Sequence, residues 1–121
     1  MAAAWLEQAG WRIVGRGVRV GRDEVDLVAL DPGPPPTIVL VEVRSHATRR
    51  FGLPEESLDR AKVRRCYRAL VGLRTGGTLP DGSPSGSRAW RVDAVLVDLD
   101  PALGKGRGGP AFRHLRGLEP P

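Results

Sequence analysis

The alternation of apolar and polar positions divides the chain into segments of two different periods. Residues 2–8 (AAAWLEQ) read as a short helix that turns Trp5 and Leu6 inward, with Gly10 placed to end it. Residues 11–20 (WRIVGRGVRV) are rich in β-branched side chains and predict a strand, which Gly15 and Gly17 interrupt with a bulge or bend. Gly21, Arg22 and Asp23 form a turn into a second strand over 24–30, making an antiparallel hairpin. The proline run of residues 31–36 (DPGPPP) supplies too few ladder donors to continue a strand and reads as an exposed connector. Residues 37–44 (TIVLVEVR) open with five consecutive apolar or β-branched positions. That pattern predicts a central strand covered on both faces.

The period then changes. Over residues 54–73, Leu58, Ala61, Cys66, Ala69, Leu70 and Leu73 recur mostly at spacings of three to five, as on an amphipathic helix. Pro54 suits a first helical position, and Glu55 and Glu56 suit the helix's positive end. Residues 75–89 are Gly/Ser/Pro-rich and predict a flexible loop. Residues 91–99 (RVDAVLVDL) are another buried strand, 101–121 a Gly/Pro-rich tail, and 112–118 within it a last edge strand. The strand–helix–strand unit should be parallel and right-handed. The expected fold class is therefore α/β, in one domain over 1–121: a small mixed sheet of order α-β-β-β-α-β, with the extra edge strand, flanked by helices.

Composition narrows the function classes. The single cysteine, Cys66, cannot form an intrachain disulfide or a cysteine-rich zinc site, and two distant histidines, His46 and His114, suggest no zinc cluster. No apolar run approaches the ~20 residues of a membrane span and no secretion signal is visible, so a cytoplasmic protein is expected. The charge is +5 overall, but it is unevenly placed. Residues 44–74 hold nine cations against three acids, a net +6, so the rest of the chain carries −1. A local basic surface of this kind attracts polyanions, nucleic acid first among them. The alternatives are a solvated Arg-rich helix or an acidic partner protein.

Two acids interrupt apolar strands: Asp26 within VDLVAL and Glu42 within LVEVR. A carboxylate in such a setting costs several kcal/mol unless it is paired or metal-bound. Alternation puts Glu42 on one face with Leu40 and Arg44, and Asp26 on one face with Glu24 and Val28. If the hairpin pairs beside the third strand, Asp26 and Glu42 converge closely enough to share one Mg²⁺ or Mn²⁺, with water and phosphate completing the shell. The structural alternative pairs Asp26 with a neighbouring arginine and Glu42 with Arg44. Asp93 is a third strand acid, read as a salt bridge to a helix arginine rather than a metal ligand. His46 is read as exposed, Cys66 as a small buried apolar residue, and Trp5, Trp11 and Trp90 as core. The GKGRGG segment (104–109) lacks the strand–loop–helix context of a phosphate loop.

Across the chain, GRDEVDLV, VLVEVR, FGLPEES and RVDAV, in that order, resemble the YraN family of small bacterial proteins. The resemblance spans roughly residues 4–118. It implies a restriction-endonuclease-like domain of the PD-(D/E)xK superfamily, related in fold to Holliday-junction resolvases. It further implies a nuclease signature on Asp26, Glu42 and Arg44, with Glu7 and Glu24 as accessory acids. DNA, branched DNA in particular, is the implied substrate, and a homodimer the implied assembly. Superfamily nucleases generally carry lysine where this chain has Arg44. Arginine stays protonated and cannot serve as a base, although it stabilises charge on a phosphate. Lys62, on the following helix, is a candidate replacement. Arg60, Lys62, Arg64, Arg65 and Arg68 would hold backbone phosphates. If cleavage is lost, the same residues describe a nucleic-acid-binding module.

Overall fold

A computed structural model describes residues 1–46, 60–99 and 111–121. The element order is α1 (Ala2–Gln8), β1 (Arg12–Val20), β2 (Asp23–Asp31), β3 (Thr37–His46), α2 (Arg60–Gly76), β4 (Ala89–Asp98) and β5 (Ala111–Leu115). The five strands form one sheet in the order β1-β2-β3-β4-β5, antiparallel except for the β3–β4 pair. The fold is thus α/β, a five-stranded mixed sheet flanked by two helices.

β3 lies in the middle of the sheet, and its alternation assigns the two cores. Val39 and Val41 pack with Leu6, Trp11, Val95 and Val97 on the α1 side, whereas Ile38 and Leu40 pack with Cys66, Ala69, Leu70 and Val92 on the α2 side. These residues are almost fully buried. At roughly 25 cal/mol per Å² of apolar surface, this two-sided burial is the main force orienting the strand. α1 ends as Gly10 predicts. Gly10 takes φ +93°, its N–H donates to Glu7 and the Trp11 N–H donates to Leu6, closing a Schellman motif.

Several boundaries differ from the sequence reading. The expected helix start at Pro54, with Glu55, Glu56 and Leu58, lies outside the described residues, as do Arg49, Arg50 and the 104–109 segment. α2 runs on to Gly76, three residues past the last periodic leucine. β5 stops at Leu115; the expected continuation to Leu118 instead folds back, where the Leu118 N–H donates to Val92 and the Tyr67 hydroxyl donates to the Leu118 carbonyl. Composition predicted a flexible loop over 75–89, yet this segment folds on itself. Thr78 bridges Pro84, the Leu79 N–H donates to Ser83 at 2.8 Å, and Leu79 is buried beneath α2. One apolar anchor outweighs the local composition.

Candidate metal and nucleic-acid site

The site begins with a defect in the hairpin. β1 and β2 pair with a register shift between Ile13 and Gly15, the predicted bulge. Further along, Arg16 opposes Leu27 and Val18 opposes Val25, so Gly17 sits opposite Asp26. Gly17 has φ +54°, a left-handed conformation that a side chain would strain. Both strands change facing there. Leu27 and Ala29 point to the α1 side, whereas Val25 lies with Val28 on the α2 side. The expected shared face of Glu24, Asp26 and Val28 is therefore broken, and Asp26 stands at the break, directed toward β3.

Pairing between β2 and β3 runs from Asp31–Thr37 to Leu27–Val41 and stops there, although β3 continues beside β4 to His46. The two strands splay apart. In the gap, Asp26 Oδ2 accepts the Val43 N–H at 2.8 Å, a carboxylate taking the place of a ladder carbonyl. Glu42 is next to Val43, so its carboxyl and that of Asp26 are near enough to act on each other. Burial pushes the Glu42 carboxyl up to about 7, the nearby Asp26 charge adds to the shift, and Arg44 and Lys62 oppose it. Arg44 Nε stands 3.7 Å and Lys62 Nζ 3.8 Å from the same Glu42 oxygen, Oε1. Arg44 Nε is also buried without a hydrogen-bond partner among the described residues. Asp26, Glu42, Arg44 and Lys62 are thus brought together by β2, β3 and α2.

Two cavities flank the gap. One, of about 210 Å³, opens on the α2 side and is lined by Arg22, Asp23, Glu24, Glu42, Lys62, Arg65 and Cys66. The other, of about 390 Å³, lies beside Asp26 on the α1 side, with Arg16, Leu27 and Val43 in its wall. Glu24 reaches the first cavity. Glu7 lines neither; it is exposed and lies 3.9 Å from Arg16. Among the described residues no group of three or more His, Cys, Asp or Glu forms a preformed metal cluster. Two neighbouring carboxylates nevertheless make the hard-oxygen donor set that Mg²⁺ uses together with water and phosphate, and a cation there would relieve their mutual repulsion. The donor chemistry fits the ion.

The Asp26–Glu42 gap falls inside a region, residues 1–97, that matches Uncharacterised protein family UPF0102, the YraN family of the sequence reading. The chain belongs to the UPF0102 family. It is 32% identical over 124 residues to a UPF0102 protein of Arthrobacter sp. (strain FB24), covering 98% of this chain and 88% of that one. It is 43% identical over 102 residues to a UPF0102 protein of Symbiobacterium thermophilum, covering 83% and 77%. Among solved structures, that of Pyrococcus furiosus SfsA in complex with Ca²⁺ is similar at a TM-score of 0.41 and 17% identity, over 96% of this chain and 58% of that one.

In this UPF0102 chain the remaining basic residues divide by role. Arg60, Arg64 and Arg65 are exposed along α2. Arg68 is engaged by Asp23: Nε donates to Oδ2 at 2.7 Å and a terminal nitrogen donates to Oδ1 at 2.6 Å. Arg68 holds the Asp23 carboxyl below its usual range. Sequence reasoning assigned Asp23 to the turn and missed this brace, because a Gly-Arg-Asp triplet carries no mark of a helix 45 residues away. Cys66 is buried as expected, and burial pushes its thiol up to about 12, leaving it inert.

Asp93 is fully buried in a salt bridge, but its partners are not on a helix. Arg91, two residues along the same strand, donates to both its oxygens at 2.7 and 3.0 Å, His114 Nε2 lies at 2.7 Å, and the Gly117 N–H donates at 2.9 Å. His114 therefore gains a place that its sequence context did not suggest. Trp11 is buried in the same cluster, and Trp5 stacks on Phe112 at 5.1 Å. Trp90 packs partly buried against the other core. The His46 side chain lies outside the described residues. No described helix is long and apolar enough to cross a membrane.

Proposed function

We propose that this protein is a magnesium- or manganese-dependent nuclease-like enzyme that hydrolyses DNA phosphodiester bonds. The observation that carries this reading is the placing of Asp26 on the Val43 N–H, next to Glu42, in the splayed gap of the sheet, with Lys62 and Arg44 beside one Glu42 oxygen. Asp26 and Glu42 would hold the ion. When bound, the ion polarises a phosphate and lowers the pKa of an attacking water. The chain's own residues do the rest. The Val43 N–H fixes the direction of the Asp26 carboxylate. Arg44 stays protonated and offsets the charge that grows on the phosphoryl oxygens. Lys62 reaches Glu42 from α2 and stands where an ammonium can orient the nucleophilic water, the task that lysine in the position of Arg44 would otherwise perform. The exposed Arg60, Arg64 and Arg65 bind backbone phosphates with salt-dependent, sequence-independent affinity. The same reading carries branched DNA as substrate and a cytoplasmic homodimer as the acting form.

The test is cleavage of labelled branched and single-stranded DNA in Mg²⁺ or Mn²⁺. Activity that disappears in Asp26→Ala and Glu42→Ala supports the reading. A second reading, a binding module that has lost cleavage, is favoured by Arg44 itself, whose Nε has no hydrogen-bond partner among the described residues. Salt-sensitive DNA binding with no cleavage, even in Arg44→Lys, would establish that alternative.

A further inference from the structure

The cavity on the α2 side is lined by charge from three elements: Arg22 from the β1–β2 turn, Glu42 from β3, and Lys62 and Arg65 from α2. Its acids do not cancel these cations. Asp23 is already neutralised by the two-pronged bond from Arg68, outside the lining. Glu42 is engaged from across the cavity by Lys62, whose Nζ lies 3.8 Å from its Oε1. Glu24 alone remains against Arg22 and Arg65. At about 210 Å³ the space is smaller than the roughly 300–1,000 Å³ of pockets that take whole small molecules, so it suits a compact anion. The Arg65 Nε donates to the Ala61 carbonyl at 3.2 Å, which sets the direction of its guanidinium. Arg22 lines the same cavity from the opposite element, the β1–β2 turn.

We infer that Arg22 and Arg65 form a phosphate clamp across this cavity, holding the phosphate next along the strand from the one at Asp26 and Glu42. The inference rests on the nuclease reading and deepens it. The substrate is recognised through two successive phosphates, so it is an oligonucleotide strand and not a mononucleotide. Arg22 is then a binding residue outside the basic helix. Arginine suits the task because its planar fork meets two phosphate oxygens at once.

The test uses the full chain labelled with ¹⁵N, following arginine Nε–Hε signals in chelator, first with inorganic phosphate and then with a single-stranded oligodeoxynucleotide. The Arg22 and Arg65 signals should move saturably with both probes, while that of Arg113, on the far edge strand β5, should not. In equilibrium binding, Arg22→Gln/Arg65→Gln should flatten the dependence of log K on log salt by about 0.7, the loss of one single-strand phosphate contact. Arg113→Gln should leave it unchanged. Arg22 and Arg65 are exposed, so thermal melts should confirm that the double variant folds. If the oligonucleotide binds and neither signal moves, or the slope is unaltered, the clamp is wrong, while metal-dependent cleavage still tests the carboxylate pair separately. If phosphate shifts both arginines but no DNA binds, both the clamp's substrate and the nuclease reading are overturned.

Discussion

Replacing Glu42 with glutamine should make the protein more stable, but only in alkali. In the fold the Glu42 carboxyl is raised from 4.5 to about 7, first by burial and then by Asp26. That displacement corresponds to about 3 kcal/mol against the ionised form. Because the folded value lies above the unfolded one, the neutral carboxyl's contribution is fully present below about pH 4.5 and is lost as pH rises through 7. Glutamine keeps the shape of the neutral acid and cannot ionise. At pH 5, Glu42→Gln and the unaltered chain should therefore unfold at nearly the same urea concentration. At pH 8.5 the variant should gain up to about 3 kcal/mol, on the order of 10 °C in melting temperature for a domain of this size. A ¹³C titration of the Glu42 carboxyl should show a midpoint near 7, and Mg²⁺ should pull it down by favouring the carboxylate. The reasoning fails if the variant is destabilised at pH 8.5, or if the midpoint is ordinary and indifferent to Mg²⁺.

Other perturbations separate architecture from chemistry. Asp26→Ala removes the acceptor of the Val43 N–H at a solvent-accessible point, so it should cost about 1 kcal/mol or less in urea unfolding while lowering Mg²⁺ affinity at least tenfold by calorimetry. Arg91→Ala leaves the fully buried Asp93 without its main counter-charge and should cost about 3–5 kcal/mol at pH 7. That cost should narrow as pH falls toward 4, because Asp93 in the variant can then take up a proton. In the unaltered chain Asp31 and Asp93 are held below their usual values, so the stability they confer is present above about pH 3.8 and disappears as pH falls through the folded values. Gly15→Ala would put a Cβ 2.6 Å from Val18 Cγ2 and 2.8 Å from Pro80 Cβ, and should lower stability by about 1–3 kcal/mol in thermal melts.

The elements themselves were legible in the chain because each is a short-range matter. The unbroken apolar run of 37–41 can be buried only in a central strand, the three-to-five spacing through Cys66, Ala69 and Leu70 can only line one side of a helix, and Gly10 can end a helix without strain. The two out-of-place acids were also visible, since a carboxylate among valines demands a reason. Their meeting was not. Strict alternation put Asp26 on a face with Val28, and only the left-handed Gly17 opposite it, together with the loss of β2–β3 pairing, turned its carboxylate into the gap beside Glu42. Likewise Arg68 finding Asp23, Lys62 reaching Glu42 and Arg91 reaching Asp31 depend on how α2 and the strands pack. Periodicity fixes which way a side chain faces along its own element. Which charge it meets is decided by residues distant in sequence, once the burial of two apolar faces has brought them within a few ångströms.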